Sequence, residues 1–143
     1  MKRGTKIIRK SYPARRRQRE LRIEKGREGK RRGKENEQRL IDAYEAARHA
    51  KQLPTWLTVV RPATKTEDYH QKTDAVAITD VGPIHIQIKS SERACAAFME
   101  TGYGRYILCV VVHDNESPED LVNRTLPKIA ARRHARIQKR KPR

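Results

Sequence analysis

The chain has 143 residues, of which 36% are charged and 36% hydrophobic, and its formal net charge is +17. This length allows one domain with tails, and no stretch is long or apolar enough for a bilayer span or a signal peptide. We therefore expect a protein of the cytoplasm, the nucleoid or an organelle interior, without a membrane partner. Both cysteines lie in apolar contexts, which favours reduced thiols without disulfides.

The positive charge is concentrated at the two ends of the chain. Residues 1–34 contain 16 Lys/Arg against 3 Glu, residues 128–143 contain 8 Lys/Arg and no acid, and residues 35–127 are slightly acidic. We predict a basic extension over 1–34 that is flexible or partly helical, a core domain over 35–127 and a basic helix or tail over 128–143. Two cationic ends with almost no offsetting acid indicate a nucleic acid as the partner.

The candidate nucleic-acid contacts are basic side chains of both ends together with one histidine of a predicted strand. They are Arg15, Arg16, Arg17, Arg19, Arg31, Arg32, Lys34, His85, Arg132, Arg133 and Arg136. Arg93 and Arg105 are further candidates for phosphate contacts. Tyr12 is the only aromatic residue of the first extension, so we expect neutralisation of the phosphate backbone with little sequence readout.

The first 34 residues contain few apolar side chains, and Gly26, Gly29 and Gly33 interrupt a run of good helix formers. We expect this segment to be disordered, or to form a helix on contact with phosphates. From Asn36 an apolar repeat of three and four residues predicts an amphipathic helix that ends near Lys51.

Residues 56–60 read as a strand, and the polar segment 61–73 as a loop. Residues 73–79 and 84–91 then alternate apolar and polar positions around a turn at 80–83, which predicts a β-hairpin. On its second strand the isoleucines form one face. The other face presents His85, Gln87 and Lys89.

Ser90 or Ser91 can cap the next helix. Residues 106–112 are apolar without alternation, which predicts a central strand covered on both faces. Ser117 followed by Pro118 predicts a helix start. Pro127 is expected to break or kink that helix near Leu126, and residues 129–140 to form a basic helix or frayed tail.

The predicted order is helix, three strands, helix, strand and helix. Short connections make the first three strands a meander, and the helix before the fourth strand predicts a crossover that places it parallel to a neighbour. The expected fold is an α/β sandwich with a mixed sheet flanked by helices.

The hairpin also predicts a cluster of polar and charged side chains. Asp74 opens its first strand, where its carboxylate can lie beside Gln87, with Lys89 two residues further along. A carboxylate, an amide oxygen and an ammonium at one end of a sheet can hold a divalent cation and a phosphate. Glu37 points inward at the start of the first predicted helix, a position that helix-dipole complementarity also favours.

This order of elements and these residues resemble the core of the PD-(D/E)XK nucleases, the restriction-endonuclease-like superfamily. Asp74, twelve intervening residues and the run Gln87-Ile88-Lys89 fit the signature, and Gly33 followed by Glu37 fits a motif on the first helix of many members. The likeness covers about residues 33–113. The chain departs from the pattern at Gln87, where most members have an acid, and the amide removes one negative charge from the metal site.

The resemblance implies a restriction-endonuclease-like α-β-β-β-α-β core and a Mg²⁺-dependent endonuclease that hydrolyses DNA, with Mn²⁺ able to substitute. Asp74, Gln87 and the backbone carbonyl of Ile88 would bind the metal. Lys89 would position the water or stabilise developing charge, and Glu37 would hold a second metal or the nucleophilic water. Small size and high charge are similar to the Holliday-junction resolvases, which implies branched DNA as substrate and a homodimer.

Two alternatives stay open. The hairpin residues could form a solvent-facing polar stripe, with Asp74 as a strand residue next to a turn. The protein could also be a non-catalytic nucleic-acid-binding protein, ribosome-associated or nucleoid-type, on a nuclease-like core. The neutral Gln87 and the concentration of 24 of the 34 basic residues in the two ends favour this second reading.

Overall fold

The computed structural model of the chain describes residues 12–141. Expectations for residues 1–11 and 142–143 therefore lie outside the described residues. The chain divides after Arg32 into two units, so the division falls close to the predicted end of the basic extension. The basic segment that begins at residue 128 belongs to the second unit. Within the part that the structure describes, no helix is both long enough and apolar enough to cross a membrane.

The second unit is an α/β structure with a mixed four-stranded sheet, as predicted. In order along the sheet the strands are β1, β2, β3 and β4, where the first three are antiparallel and β4 runs parallel to β3. The elements are α1 (Tyr12–His49), β1 (Leu57–Pro62), α2 (Lys65–Gln71), β2 (Ala75–Thr79), β3 (Gly82–Lys89), α3 (Glu92–Met99), a 3₁₀ turn (Gly102–Arg105), β4 (Ile107–Val111) and α4 (Pro118–Arg140).

Helix α1 is longer than predicted. It begins at Tyr12 and passes through Gly26, Gly29 and Gly33 without interruption, so the expectation that the glycines interrupt the helix is wrong. A glycine costs a helix only about 1 kcal/mol relative to alanine, and the surrounding Arg, Lys and Glu residues are good helix formers. The predicted apolar stripe is present on the part of α1 in the second unit, where Leu40, Ala43, Tyr44 and Ala47 are buried.

Helix α2 lies where the sequence predicted a loop. Thr64 caps it, since its side chain accepts a hydrogen bond from the Glu67 amide, while the Glu67 carboxylate accepts one from the Thr64 amide. This reciprocal capping box satisfies two amides that a short helix would otherwise leave unpaired. None of its side chains is buried, so the apolar periodicity that marks longer helices is missing.

Helix α4 continues through Pro127, so of the two predicted outcomes, a break or a kink, the break does not occur. A proline inside a helix costs about 3 kcal/mol or more, but both halves of α4 contribute to the core. Leu121, Val122 and Thr125 before the proline and Ile129 after it are all buried. Their packing offsets the lost backbone hydrogen bond.

Two apolar clusters cover the sheet. The larger one joins the isoleucines of β3 to residues of α1 and α4, and the smaller one contains Cys95, Cys109 and Val111, with Phe98 packed against them. Cys95 of α3 and Cys109 of β4 form a disulfide, so the expectation of reduced thiols is wrong. Their Cα atoms are 5.7 Å apart, a separation that a disulfide can bridge.

Strand β4 is buried along its whole length, as its apolar run predicted, but it is an edge strand of the sheet and not a central one. Helices on both sides of the sheet cover it, which explains why the run has no polar face. Arg124 of α4 contacts the carbonyl oxygen of Val111 and pairs with Glu116 at 2.6 Å. A side chain of α4 thereby pairs with the backbone at the end of this edge strand.

The basic half of α4 is docked on the turn between β2 and β3. Arg133 forms two hydrogen bonds of 2.7 Å with the Asp80 carboxylate and lies over the Trp56 ring at 5.0 Å. Arg136 and Arg140 donate to the carbonyl oxygens of Pro83 and Val81. The predicted helix is therefore present, and these contacts hold it through Arg140 against the core.

A buried hydrogen bond connects α1 to α4 and can be tested directly. Tyr44 and Thr125 are 2.6 Å apart through their hydroxyls, and Thr125 also donates to the Leu121 carbonyl at 2.7 Å. Tyr44→Phe removes one bond and should lower the free energy of unfolding by about 1 kcal/mol. Thr125→Val should cost more, about 1–3 kcal/mol, because it leaves the buried Tyr44 hydroxyl without a partner. Urea denaturation measures both variants, and equal losses would contradict the expectation that Thr125 is the partner that satisfies the buried Tyr44 hydroxyl.

Candidate active site

The site begins with Asp74, the residue directly before β2. Its amide donates to the Ile86 carbonyl at 2.8 Å, and its carboxylate Oδ2 accepts the Ile88 amide at 2.9 Å. The side chain thus pairs with β3 where β2 begins. This contact holds Asp74 against Ile86, Gln87 and Ile88, the segment next to which the sequence placed it. Ile88 contacts the carboxylate through its amide.

Glu37 of α1 and Asp74 each affect the pKa of the other. Burial raises the pKa of Glu37 to about 7, and the charges of Asp74 and Asp68 add to the effect. Burial also raises the pKa of Asp74, against the opposing effect of the Ile88 amide. Burial and neighbouring negative charge both favour the neutral form of a carboxyl, so these two groups bind a proton more readily than isolated carboxyls do.

Gln87 and Lys89 complete the predicted group. The side-chain oxygen of Gln87 is buried and has no hydrogen-bond partner among the described residues. Most buried polar atoms in proteins are paired, so an unpaired one requires an explanation. The ammonium of Lys89 lies 5.7 Å from the centre of the Phe98 ring, and its charge lowers the pKa of Asp74. A buried acceptor without a partner and a positive charge that acts on Asp74 therefore lie on the strand that bonds to Asp74.

Asp68 was not among the predicted site residues. Its charge raises the pKa of both Glu37 and Asp74, so it contributes to the negative potential of the site. Asp68 lies on α2, in the segment that was predicted to be a loop. The run from Thr64 to Glu67, a capping-box pattern, was the signal that could have identified this helix.

The oxygen atoms of these residues are of the kinds that a divalent cation binds. No group of three or more His, Cys, Asp and Glu side chains suitable for a metal exists within residues 12–141. Asp74 and Glu37 carry carboxylate oxygens and Gln87 an amide oxygen, and hard cations accept both kinds.

The candidate nucleic-acid contacts fall into two groups. The basic residues from Arg15 to Arg32 lie along the α1 segment of the first unit and are exposed. On α4, Arg133 is paired with Asp80, whereas Arg132 and Arg136 each donate to a backbone carbonyl and keep an uncompensated charge. The structure thus separates the paired arginine from those able to attract an anion.

His85 lies two residues before Gln87 on β3. Its ring Nδ1 is 3.0 Å from the hydroxyl of Thr73, and burial lowers its pKa, so the ring favours its neutral form. Thr73 also donates to the Gln71 carbonyl. The histidine is therefore fixed beside the site by the segment that leads into Asp74.

Comparison of the chain with protein-family models, with curated proteins and with solved structures found no match. The functional assignment therefore depends on the geometry and chemistry of the residues themselves. In that geometry Gln87 lies between the two β3 residues that bond to Asp74, and Glu37 and Lys89 each affect the pKa of Asp74.

The ion pair between Arg61 and Glu67 joins β1 to α2, the helix that carries Asp68. Arg61 donates to both oxygens of the Glu67 carboxylate, which holds the pKa of Glu67 at about 2, and the Thr64 amide adds to the effect. A carboxyl whose pKa is lower in the folded than in the unfolded state stabilises the protein above its unfolded pKa. This stabilisation disappears as the pH falls from about 4.5 to 2.

Glu67→Gln should therefore lower the free energy of unfolding at pH 7 by about 1 kcal/mol, the range of exposed ion pairs with good geometry. The variant should also lose less stability than the wild type when the pH is lowered. Urea denaturation at neutral and acidic pH measures both effects, with Glu119→Gln on the exposed start of α4 as the control. An unchanged pH dependence in Glu67→Gln would contradict the prediction.

Proposed function

We propose that the protein is a metal-dependent endonuclease whose catalytic residues are Glu37, Asp74, Gln87 and Lys89. The observation that carries the proposal is the Asp74 carboxylate, held at 2.9 Å by the Ile88 amide on the strand whose Gln87 oxygen is buried and without a partner among the described residues. The raised pKa of Glu37 and the effect of Lys89 on Asp74 agree with this geometry. Partly buried like charges and an unpaired acceptor cost stability unless a ligand compensates them. Such a cost is common at functional sites.

The architecture supports a restriction-endonuclease-like fold for the second unit. A helix precedes three antiparallel strands, and a second helix leads to a fourth strand that is parallel to the third. This is the order on which the resemblance to PD-(D/E)XK nucleases rests, and the acidic residue of the second strand and the lysine of the third occupy corresponding positions. The fold alone does not define an activity, so the assignment also requires the side chains of the site.

Each residue has a defined part in hydrolysis. Asp74, Glu37 and Gln87 would hold Mg²⁺, or Mn²⁺ in its place, and Ile88 would offer its backbone carbonyl. When bound, the cation supplies charge stabilisation for the phosphate and lowers the pKa of a water. Lys89 places an ammonium next to the phosphate, where it stabilises the negative charge that develops during the reaction.

The neutral amide of Gln87 favours a lower affinity for Mg²⁺ than a carboxylate would give. The same feature favours the second candidate function, a nucleic-acid-binding protein that has kept this fold without catalysis. The raised pKa of Glu37 supports the enzyme, since an exposed binding surface gains nothing from a buried carboxyl pair beside a phosphate. We therefore place the nuclease first.

The substrate that the charge distribution supports is DNA, bound through its phosphates. The exposed arginines of the first unit supply positive charge. Arg132 and Arg136 of α4 add to it, and the hydrogen bonds that they make go to backbone carbonyls and not to acidic side chains. Small size and high charge favour branched DNA and a homodimer, as in the resolvases.

Cleavage tests the function. Labelled four-way junction, duplex and single-stranded DNA are incubated with Mg²⁺ or Mn²⁺, and Asp74→Asn should reduce the cleavage rate at least about 100-fold, as expected for the loss of a metal ligand. The variant should keep its affinity for DNA, because the substitution removes no basic side chain. Asp114→Asn, which changes an exposed carboxylate after β4, is the matched control and should cut like the wild type.

The outcomes separate the two candidate functions. Equal cutting by the wild type and Asp74→Asn would show that the site is wrong. Tight binding without metal-dependent cutting by the wild type would favour the non-catalytic protein.

The salt dependence of binding tests the role of the first unit. The double variant of Arg17→Gln and Arg19→Gln should reduce the slope of log K against log salt concentration on duplex DNA by about 0.9 for each arginine that contacts a phosphate. Fluorescence anisotropy over a range of salt concentrations measures the slope. The corresponding lysine substitutions retain the charge and should keep the wild-type slope, and an unchanged slope in the glutamine variant would exclude these two residues.

A further inference from the structure

Two adjoining surface cavities lie beside β4 and share Tyr106. The first has a volume of about 400 Å³, and its lining includes Arg105, Arg132, Arg136 and Lys139. The second has a volume of about 340 Å³ and is lined by His70, Gln71, His85, Tyr103, Tyr106 and Ile107. One cavity is therefore cationic and the other aromatic, with one tyrosine between them.

The cationic cavity is built to attract an anion. No carboxylate lines it among the described residues. Arg132 donates from Nη1 to the Arg105 carbonyl at 2.9 Å, and Arg136 donates from Nη1 to the Pro83 carbonyl at 2.6 Å. A carbonyl orients a guanidinium without neutralising it, and each guanidinium has five N–H donors. Arg133, which Asp80 neutralises, is not part of the lining.

The electrostatics agree with this geometry. Burial lowers the pKa of Arg136, and the charges of Arg132 and Arg140 lower it further. Clustered like charges of this kind are relieved by a bound anion. A phosphate has the charge and the acceptor geometry that arginine recognises best.

The aromatic cavity presents flat side chains to solvent. Tyr106 is 72% exposed and Tyr103 is 47% exposed, although tyrosines usually bury much of their ring. His85, held through Nδ1 by Thr73, adds a second kind of planar ring. Exposed aromatic rings next to a cationic groove are the equipment with which proteins bind single-stranded nucleic acid, because any base can stack on them.

We propose that the two cavities form a binding site for an unpaired nucleotide of a single-stranded segment, with its base stacked on Tyr106 and a neighbouring phosphate held by Arg132, Arg136 and Lys139. A polynucleotide supplies both parts in one chain, whereas a free phosphate or a membrane headgroup would leave the aromatic cavity empty. The inference deepens the proposed nuclease function, since it specifies substrates with unpaired nucleotides, such as branches and flaps.

The position of the site connects it to the candidate active site. His85, Gln87 and Lys89 alternate on β3, and side chains two residues apart on a strand are separated by about 6–7 Å. Arg136 of the cationic cavity donates to the Pro83 carbonyl on β3 and lowers the pKa of His85. The cationic cavity therefore borders the same strand. An unpaired nucleotide bound here would lead its strand towards Gln87.

Binding without cleavage isolates this site from the catalytic one. Oligo(dT) of about 12 nucleotides, within the usual site size for such proteins, and a duplex are titrated in EDTA and followed by fluorescence anisotropy. Tyr106→Ala should weaken binding of the single strand about 5- to 150-fold, the measured range for the loss of one base–aromatic stack, and leave duplex binding unchanged. Tyr106→Phe retains the ring and should bind like the wild type.

Two further variants sharpen the test. Tyr69→Ala removes a tyrosine that is 77% exposed and lines neither cavity, and it should leave single-strand binding unchanged. Lys139→Gln should reduce the slope of log K against log salt concentration on single strands by about 0.7. A 2-aminopurine base in the oligonucleotide should be quenched by the wild type and not by Tyr106→Ala, and oligo(U) in a parallel titration distinguishes RNA from DNA.

The inference is overturned if Tyr106→Ala binds the single strand like the wild type, or if it weakens duplex and single strand equally. Its failure can be told apart from failure of the nuclease assignment. Cutting that depends on Asp74, together with an inert Tyr106→Ala substitution, would leave the nuclease and remove this site. A selective single-strand defect in a protein that does not cut would do the reverse.

Discussion

The hydrogen bond from the Ile88 amide to the Asp74 carboxylate is the contact on which the candidate site depends. At the beginning of β2 the backbone ladder with β3 ends, and the side chain of Asp74 supplies the next acceptor. This fixes the carboxylate in the plane of the sheet, where Glu37 of α1 can reach it. The geometry that completes the sheet thus also places two carboxyls where burial raises the pKa of each.

The two faces of the sheet contact different parts of the protein. The isoleucines of β3 pack into the large core with α1 and α4, and this packing keeps Glu37 in contact with Asp74. The opposite side carries His85, Gln87 and Lys89 and is closed by α3 and the disulfide between Cys95 and Cys109. The polar face of β3 is thus half-buried, so electrostatic interactions between its side chains are stronger than they would be on a solvent-exposed strand.

The arginines of α4 differ in their hydrogen-bond partners. Arg133 is neutralised by Asp80 and stacks on Trp56, and so serves to dock α4 on the hairpin turn. Arg132 and Arg136 are oriented by carbonyls and keep their charge. Counting basic residues could not separate these roles, because all three arginines occur in the same run of sequence.

The sequence by itself determined the order of the long elements and the hairpin. These follow from local periodicity and from the register that a short turn imposes on two strands. The same register predicts Asp74 beside Gln87, whereas Glu37 joined the predicted group only through the resemblance to a nuclease family. The sequence did not determine the course of α1 through its glycines, the continuation of α4 through Pro127, or the short helix α2 that carries Asp68. In each case propensity differences of a few kcal/mol compete with capping or tertiary packing, which a local pattern does not contain.

Only the tertiary structure decided the disulfide, the edge position of β4 and the pairing of Asp80 with Arg133, since each joins residues distant in sequence. The juxtaposition of Tyr106 with Arg132, Arg136 and Lys139 is of the same kind. It arises because α4 returns along the sheet to the end of β4, and contacts between distant segments are set by packing and not by the residues of either segment alone.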